Sequence, residues 1–493
     1  FFSFFGSFFL LTTFVSKQAL GAGILAMPYA FEQSGLALGL LIIVGVVTLC
    51  ALSQEIVILG RFLFITFPCL FLFFTHTHAH THTTSTGMHE CQEKETRGAK
   101  RVDSYDRMIR SLLGPIWGTT MEILIAIYQF GACVAYVLVF QDQLQPLLKC
   151  GLCGGDCCEI RPIDKSETCD CDSVWCKRTT IILMGTWILM FPPSMLHSIS
   201  KLKFVSLLGV MCPFIMASII VYFGIDEMVK EGFEANFDNV QWFTNTPKGV
   251  FVAIPIFCFA LQSHISVPVI FNGYPKVQKK SNFRFVIVMA YAIVTSLYIP
   301  TGLFGLTYFL EASPDNFPRD LLTGFKTNEI LANVARVCMA GAAVCCYPLN
   351  HFPARCAIFN VYKTFTGKDV EKMKPASKDI YYIVEIVIFT LLATGLAIAV
   401  PNVATVFGVL GATVASSSMF IFPGLIMYHF AVTYKFTIGS PSLSGMSPRM
   451  SPLVRQQSWL KAPRECNKSV VIGVFYALFG LIIAVIGTYV SVL

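Results

Sequence analysis

The sequence predicts an all-α polytopic membrane protein of about eleven transmembrane helices, ordered as a five-plus-five inverted repeat with broken helices one and six. Three observations carry this. Of 493 residues, 55% are hydrophobic and only 13% are charged, about half the charged share of a soluble domain. The apolar residues fall in many blocks of membrane-crossing length, which excludes a soluble enzyme on one anchor. Two of those blocks carry residues in mid-span that open a helix.

A crossing helix needs roughly 20 apolar residues. The spans read as 5–31, 36–59, 116–140, 179–197, 203–225, 249–271, 284–310, 327–350, 380–400, 402–432 and 469–492. Span one holds Gly21-Ala22-Gly23, with Pro28 behind it. After span two, 61–100 reads as an insertion or gene-prediction artefact followed by a basic loop. Phe62 to Phe74 is apolar but too short to cross, and His76, His78, His80 and His82 alternate with Thr and Ala. That repeat reads either as low-complexity sequence or as a metal-binding tract.

Span three carries Glu122, Tyr128 and Tyr136, and a Cys-rich loop follows over 141–178. Seven of the eighteen cysteines lie there: Cys150, Cys153, Cys157, Cys158, Cys169, Cys171 and Cys176. Disulfides and a zinc cluster starting from Cys150-x-x-Cys153 both fit that density. Span six contains Phe259 and the polar triplet Gln262-Ser263-His264, followed by Pro268. Span eight carries Arg336 and Cys345, and Pro401-Asn402 makes a tight turn between spans nine and ten. A core over 1–432 therefore precedes a linker over 433–468, with its Ser-, Pro- and Gly-rich stretch at 438–458, and a last helix over 469–493.

Charge sets the orientation. Basic residues gather on one set of loops, among them Arg97, Arg110, Lys201, Lys276, Lys368 and Lys461. The opposite loops are acidic, with Asp226, Glu231, Glu311 and Asp320. The basic side is expected in the cytosol, which places the Cys-rich loop outside. The net charge of +7 is thus a topology signal and not a nucleic-acid surface.

The paired breaks suggest a chemistry. Opened backbone at membrane depth persists only inside protein or beside water. A half-helix N-terminus favours a carboxylate, and freed carbonyls accept an ammonium. Glycine at 21 and 23 lets a ligand approach the backbone. The expected substrate is a small zwitterion held by Gly21, Ala22, Gly23 and Ile24, with Tyr128, Tyr136, Phe259 and Gln262 as lining. The aromatic residues read equally well as core packing. Lys17, Glu122, His264 and Arg336 are the ionisable residues inside spans, where charge is costly. A Glu122–Arg336 charge pair would neutralise two of them; snorkelling of Glu122 and Lys17 to an interface is the other reading. His264 could carry a coupling proton or only hydrogen-bond opened backbone.

The order of several motifs resembles the amino acid/auxin permease family, and within it the sodium-coupled neutral amino acid transporters, nearest the lysosomal glutamine-exporting branch. The carriers are Leu20-Gly21-Ala22-Gly23-Ile24-Leu25 with Pro28 and Ala30-Phe31, then Glu122-Ile123 to Gly131. Further carriers are Phe257-Cys258-Phe259 with Gln262, His264 and Val267-Pro268, then Ala335-Arg336, Tyr347-Pro348, His351-Phe352 and Phe422-Pro423-Gly424-Leu425. The resemblance implies a LeuT-like fold, substrate at spans one and six, transport of small neutral amino acids such as glutamine, and a sodium site between spans one and eight.

The chain departs from that pattern at the ion site. Lys17 stands where the sodium-coupled members carry Asn, as in the proton-coupled amino acid transporters. Ala342, Ala343, Cys345 and Cys346 fill span eight where hydroxyl residues are expected. Sulfur is a poor ligand for a hard cation. Lys17, His264 and Cys345 are thus the coupling-ion candidates.

The expected function is secondary transport of neutral L-amino acids such as glutamine or alanine, proton-coupled or uncoupled, with a proton or less readily a sodium ion as partner. An amino acid sensor without transport and a sodium symporter with a diverged ion site are the alternatives. No metalloprotease motif, nucleophile elbow or phosphate loop is present, so no enzyme, cofactor, metal or nucleic-acid partner is expected. The partner surface is the bilayer, of either the plasma or the lysosomal membrane.

Overall fold

The computed structural model describes residues 12, 15–16, 20–76, 104–153, 173–196, 203–232, 240–244, 246–273, 280–312, 317–438 and 463–492. These residues form helices and turns, with no strand among them. A 3-10 turn, Ala22–Ala26, leads into α1, Met27–Ser34. Then come α2 (Leu36–His76), α3 (Tyr105–Leu113) and α4 (Pro115–Cys153). A π-wound piece, Gly185–Met190, joins α5 (Arg178–Met184) to α6 (Phe191–Ser194). α7 (Lys203–Glu231), α8 (Pro247–Ala260), α9 (Val267–Gly273) and α10 (Lys280–Ala312) follow. α11 (Ile330–Thr366) and α12 (Pro375–Ala399) come next. π-wound turns at Gly411–Ala415 and Ser417–Ile421 link α13 (Val403–Leu410) to α14 (Phe422–Ile438). α15 (Pro463–Ile482) and α16 (Thr488–Val492) end the described chain.

Eight helices among the described residues are long and apolar enough to cross a membrane. The three expected spans outside that set, 5–31, 179–197 and 249–271, coincide with interrupted segments: the 3-10 turn with α1, α5 with α6, and α8 with α9. Local chemistry explains the joints. Gly35 turns α1 into α2 with φ +77°, and a Cβ there would lie 2.8 Å from the backbone of Phe243. Residues 240–244 are laid over this corner by Leu36 N–H donating to Gln241 O (2.8 Å) and Thr244 N–H to Ser34 O (3.1 Å). Asn402 caps α13 by accepting from Thr405 N–H at 3.0 Å, so Pro401-Asn402 does form the turn between α12 and α13.

Four boundaries differ from expectation. The apolar run Phe62 to Phe74 is not a separate piece, because α2 continues unbroken to His76. The Cys-rich loop does not start at 141, since α4 winds on through Pro146 to Cys153. The stretch before span three contains a helix, α3, whose apolar face at Tyr105, Met108 and Ile109 is buried. The helix expected to end at 432 runs to Ile438. His78, His80, His82, Cys157, Cys158, Cys169, Cys171, Lys17 and the stretch 439–462 lie outside the described residues.

In packing, α4 runs along α11, and α11 also packs on α7, which meets α10. α8 sits at the centre against α1, α13 and the π-wound turn at Gly411–Ala415. The first and third interrupted segments therefore meet each other.

Candidate functional site

The first break begins where Leu20 N–H donates to Ser16 O at 2.8 Å and the chain then extends through Gly21. The next residues start a new helix, whose leading N–H groups have no acceptor within it. The second break begins where α8 stops at Ala260, leaving carbonyl groups at its C-terminal end. The two ends face each other: a Cβ on Gly23 would lie 2.9 Å from both Cα and Cβ of Ala260. A helix N-terminus carries positive partial charge and a C-terminus negative. The junction therefore offers N–H donors on one side and carbonyl acceptors on the other, as a zwitterion requires.

One side chain bridges the two. The Tyr298 hydroxyl, on α10, accepts from Gly21 N–H at 3.4 Å and donates to Ala260 O at 3.5 Å. Both bonds are long for their type, so a better-charged competitor can displace them. Tyr128 donates to Phe259 O at 3.5 Å, and its ring lies 5.7 Å from that of Phe259. Phe259 stacks on Phe407 at 4.5 Å. Beside Gly21 and Ala22 lies a cavity of about 10 Å³, walled by Tyr136, Met339, Ala342, Ala343 and Cys346 among others. That is room for about one water. The site is closed, and a ligand larger than a water enters only when its walls separate.

The polar triplet tethers the second break. Gln262 Nε2 donates to Ser418 Oγ on the π-wound turn. Ser263 Oγ accepts from Gln54 Nε2 at 2.6 Å, and His264 Nε2 meets Ser53 Oγ at 2.7 Å. All three are buried. Gln54 and Ser53 belong to α2, so the opened strand is held between α2 and the α13–α14 segment. Gln262 and His264 thus point at tethers, not at the junction of the two breaks. Tyr105, on α3, donates to Ser418 O at 2.9 Å and supports the same tether from behind.

The expected Glu122–Arg336 pair is not formed. Glu122 takes Arg110 of α3 at 2.8 Å, a partner one short turn away in the chain. Arg336 is buried among carbonyls, donating to Leu322 O (3.0 Å) and Phe325 O (2.6 Å), and to Asn333 Oδ1 (2.7 Å). Cys345 sits beside Cys346 on α11, but it is Cys346 that lines the small cavity. Sequence reasoning missed Tyr298, Ser418, Gln54 and Arg110. Only Arg110 had a signal, the period of Tyr105, Met108, Ile109 and Leu112, which marks an amphipathic helix.

The segment that Arg336 holds carries a pH dependence. Asp320 accepts from Leu322 N–H and from Gln143 Nε2, each at 2.9 Å. Burial raises its carboxyl from the ordinary 3.8 to about 6, against the lowering by these bonds and by Arg336. The folded chain keeps this proton where the unfolded chain has lost it, so stability falls as pH rises from about 3.8 through about 6. A higher melting temperature is expected at about pH 5 than at about pH 7.5, with Asp320→Asn narrowing the gap. Thermal unfolding at the two pH values checks this.

Comparison with known proteins adds the following. The family described as transmembrane amino acid transporter protein matches residues 67–439. Sodium-coupled neutral amino acid transporter 7 of Xenopus laevis is 26% identical over 419 residues, 84% of this chain and 79% of that protein. The Homo sapiens protein of the same name is 24% identical over 333 residues, 67% of this chain and 66% of that protein. Solute carrier family 38 member 8 of Mus musculus is 24% identical over 419 residues, covering 83% and 82%. Among solved structures, MhsT in complex with L-phenylalanine aligns over 98% of both chains with a TM-score of 0.55 at 12% identity. That likeness shows the fold alone, the LeuT-like arrangement expected above.

Proposed function

Because the chain belongs to the transmembrane amino acid transporter family, we propose that it is a secondary transporter of small neutral L-amino acids, glutamine or alanine in kind, working by alternating access. The carrying observation is the Tyr298 hydroxyl between Gly21 N–H and Ala260 O. It accepts where a substrate carboxylate would accept and donates where an ammonium would donate. In this reading Gly21, Ala22, Gly23 and Ile24 bind the substrate backbone, and Tyr128 and Phe259 shape the space for its side chain. The core runs to the end of α14 at Ile438, the linker from there to α15 is cytosolic, and α15 with α16 makes the last crossing of this multi-pass membrane protein. The Cys-rich loop is exofacial and disulfide-bonded, as the bonded state of Cys150 and Cys153 favours. The membrane is the plasma or the lysosomal membrane.

Coupling is to protons or absent. Supporting this, Ala342, Ala343 and Cys346 of span eight bring no hydroxyl to the cavity beside Gly21 and Ala22, which leaves Tyr136 as the lining side chain with an oxygen, whereas a hard cation would need several oxygen ligands. Sodium coupling is the second reading, and the names of the relatives favour it. Uptake of labelled glutamine, alanine and proline into proteoliposomes, at two pH values with and without sodium, tests all of this. Uptake that ignores sodium and follows or ignores the proton gradient is the expected result. A stepwise rise with sodium at fixed pH overturns the coupling; no uptake of any of the three overturns transport in favour of a sensor.

Tyr298→Phe separates the steps of the cycle. The hydroxyl serves the empty carrier, since bound substrate would take over its partners. Its loss leaves a half-buried N–H of Gly21 and a buried carbonyl of Ala260 unpaired only in the empty form, a cost of about 1 kcal/mol for bonds this long. Net uptake is expected to fall about fivefold while exchange of inside for outside amino acid stays near normal. Equal loss in both assays would make Tyr298 a packing residue only.

A further inference from the structure

A second cavity, of about 310 Å³, opens at the basic ends of α11 and α12. This is near the lower size of ligand sites. Its wall is the Tyr382 ring, stacked on Phe359 at 5.3 Å. Two cations flank that ring: the Arg355 guanidinium carbon at 4.9 Å and Lys378 Nζ at 5.3 Å from the centroid. Arg355 is only 3% exposed. Its Nε donates to Glu385 Oε2 at 3.0 Å, and its Nη2 donates to Ser194 O at 2.7 Å and meets His351 Nδ1 at 3.3 Å. Nε and Nη2 make its hydrogen bonds among the described residues, none is made by Nη1, and the residue lines the cavity. A guanidinium presents a fixed fork of donors, and an open arm of it calls for an anionic oxygen.

Lys378 is held differently. It pairs with Glu371, whose other carboxylate oxygen accepts from Tyr382 Oη. Glu371 therefore occupies the place of an anion at the mouth. The same stretch carries Lys363, Lys368, Lys372 and Lys374. Of these, Lys363 and Lys372 share one acid, Asp369, at 2.8 and 4.0 Å. Basic residues clustered at helix ends attract anionic headgroups, at about 1 kcal/mol each. Near the same helix ends, Phe365 is 75% exposed and Ile380 62%. Such residues at the ends of membrane helices belong in the bilayer interface.

We propose that this cavity binds the phosphate group of an anionic membrane lipid, which replaces Glu371 at Lys378 and reaches Nη1 of Arg355. The lipid, not a free anion, is the occupant because the two helices that wall the cavity also carry exposed apolar residues near their basic ends. The site is separate from the junction of the breaks and does not rest on the transport reading.

Cys356 is exposed and lines the cavity, so its alkylation reports occupancy. The full chain is placed in phosphatidylcholine nanodiscs with or without phosphatidic acid, and maleimide labelling is read at the Cys356 peptide by mass spectrometry. Phosphatidic acid is expected to slow labelling about fivefold. Lys378→Gln should remove the protection, and Glu371→Gln, which vacates the anion position, should increase it. Inorganic phosphate in pure phosphatidylcholine should give none. Equal labelling in both lipid compositions overturns the site, as does weaker protection in Glu371→Gln. Equal protection by inorganic phosphate overturns the lipid as its occupant.

Discussion

Gly23→Ala is expected to lower amino acid uptake by about two orders of magnitude while the chain still inserts in the membrane; an overpacked backbone contact costs about 1–3 kcal/mol. Gly23→Val should abolish uptake. The added Cβ would lie 2.9 Å from both Cα and Cβ of Ala260. No rotamer relieves that clash, because one of the two atoms is backbone. The 3-10 turn must then move away from the end of α8. The Tyr298 bonds, already at 3.4 and 3.5 Å, would not span the wider gap, and donors and acceptors would no longer converge on one ligand. Gly45→Ala is the matched control, since a Cβ there meets nothing within 4 Å. Ala260→Gly in the Gly23→Ala background removes one of the two clashing atoms and should restore part of the flux. Uptake per reconstituted protein is the measurement. Normal uptake by Gly23→Ala would mean that the two helix ends need not touch during the cycle.

The features legible from sequence here are those with local causes. Two glycines with Pro28 behind them, and Gln262-Ser263-His264 inside an apolar span, each disturb a helix through their own backbone and side-chain chemistry. The breaks therefore stood out without any knowledge of neighbours. What each polar group meets is a tertiary matter. Tyr298 is one of three tyrosines in an apolar helix, and nothing near it in sequence announces that it bridges Gly21 and Ala260. Gln262 and Ser418 are likewise joined only by packing. Charge showed the opposite failure. The basic residues before span three read as a topology signal, which hid the period of α3 and with it the partner of Glu122. A buried cation such as Arg336 calls for a carboxylate when read from sequence, yet carbonyl oxygens at the end of a short turn serve it as well.

That substitution of carbonyls for a carboxylate sets up the largest stability effect expected here. Arg336 is fully buried. Its Nη2 gathers Leu322 O and Phe325 O, and its Nη1 reaches Asn333 Oδ1 and Lys326 O, the last at 3.4 Å. These contacts pin the 317–329 connection onto the start of α11. Arg336→Met fills the volume but leaves buried acceptors bare, at about 1–3 kcal/mol each. After relaxation the net loss should be about 3–5 kcal/mol, the range for stripping one partner from a buried charge. Arg336→Lys keeps the charge but not the planar fork, so it should recover less than half of that. Glu122 lies outside this network, being held by Arg110. Reversing the charges at 122 and 336 together should therefore give the sum of two separate losses, whereas reversing 110 and 122 should recover stability. Thermal unfolding of the purified chain measures each variant. A rescue by the 122–336 reversal would mean that Arg336 leaves its carbonyls for Glu122 in another state of the cycle.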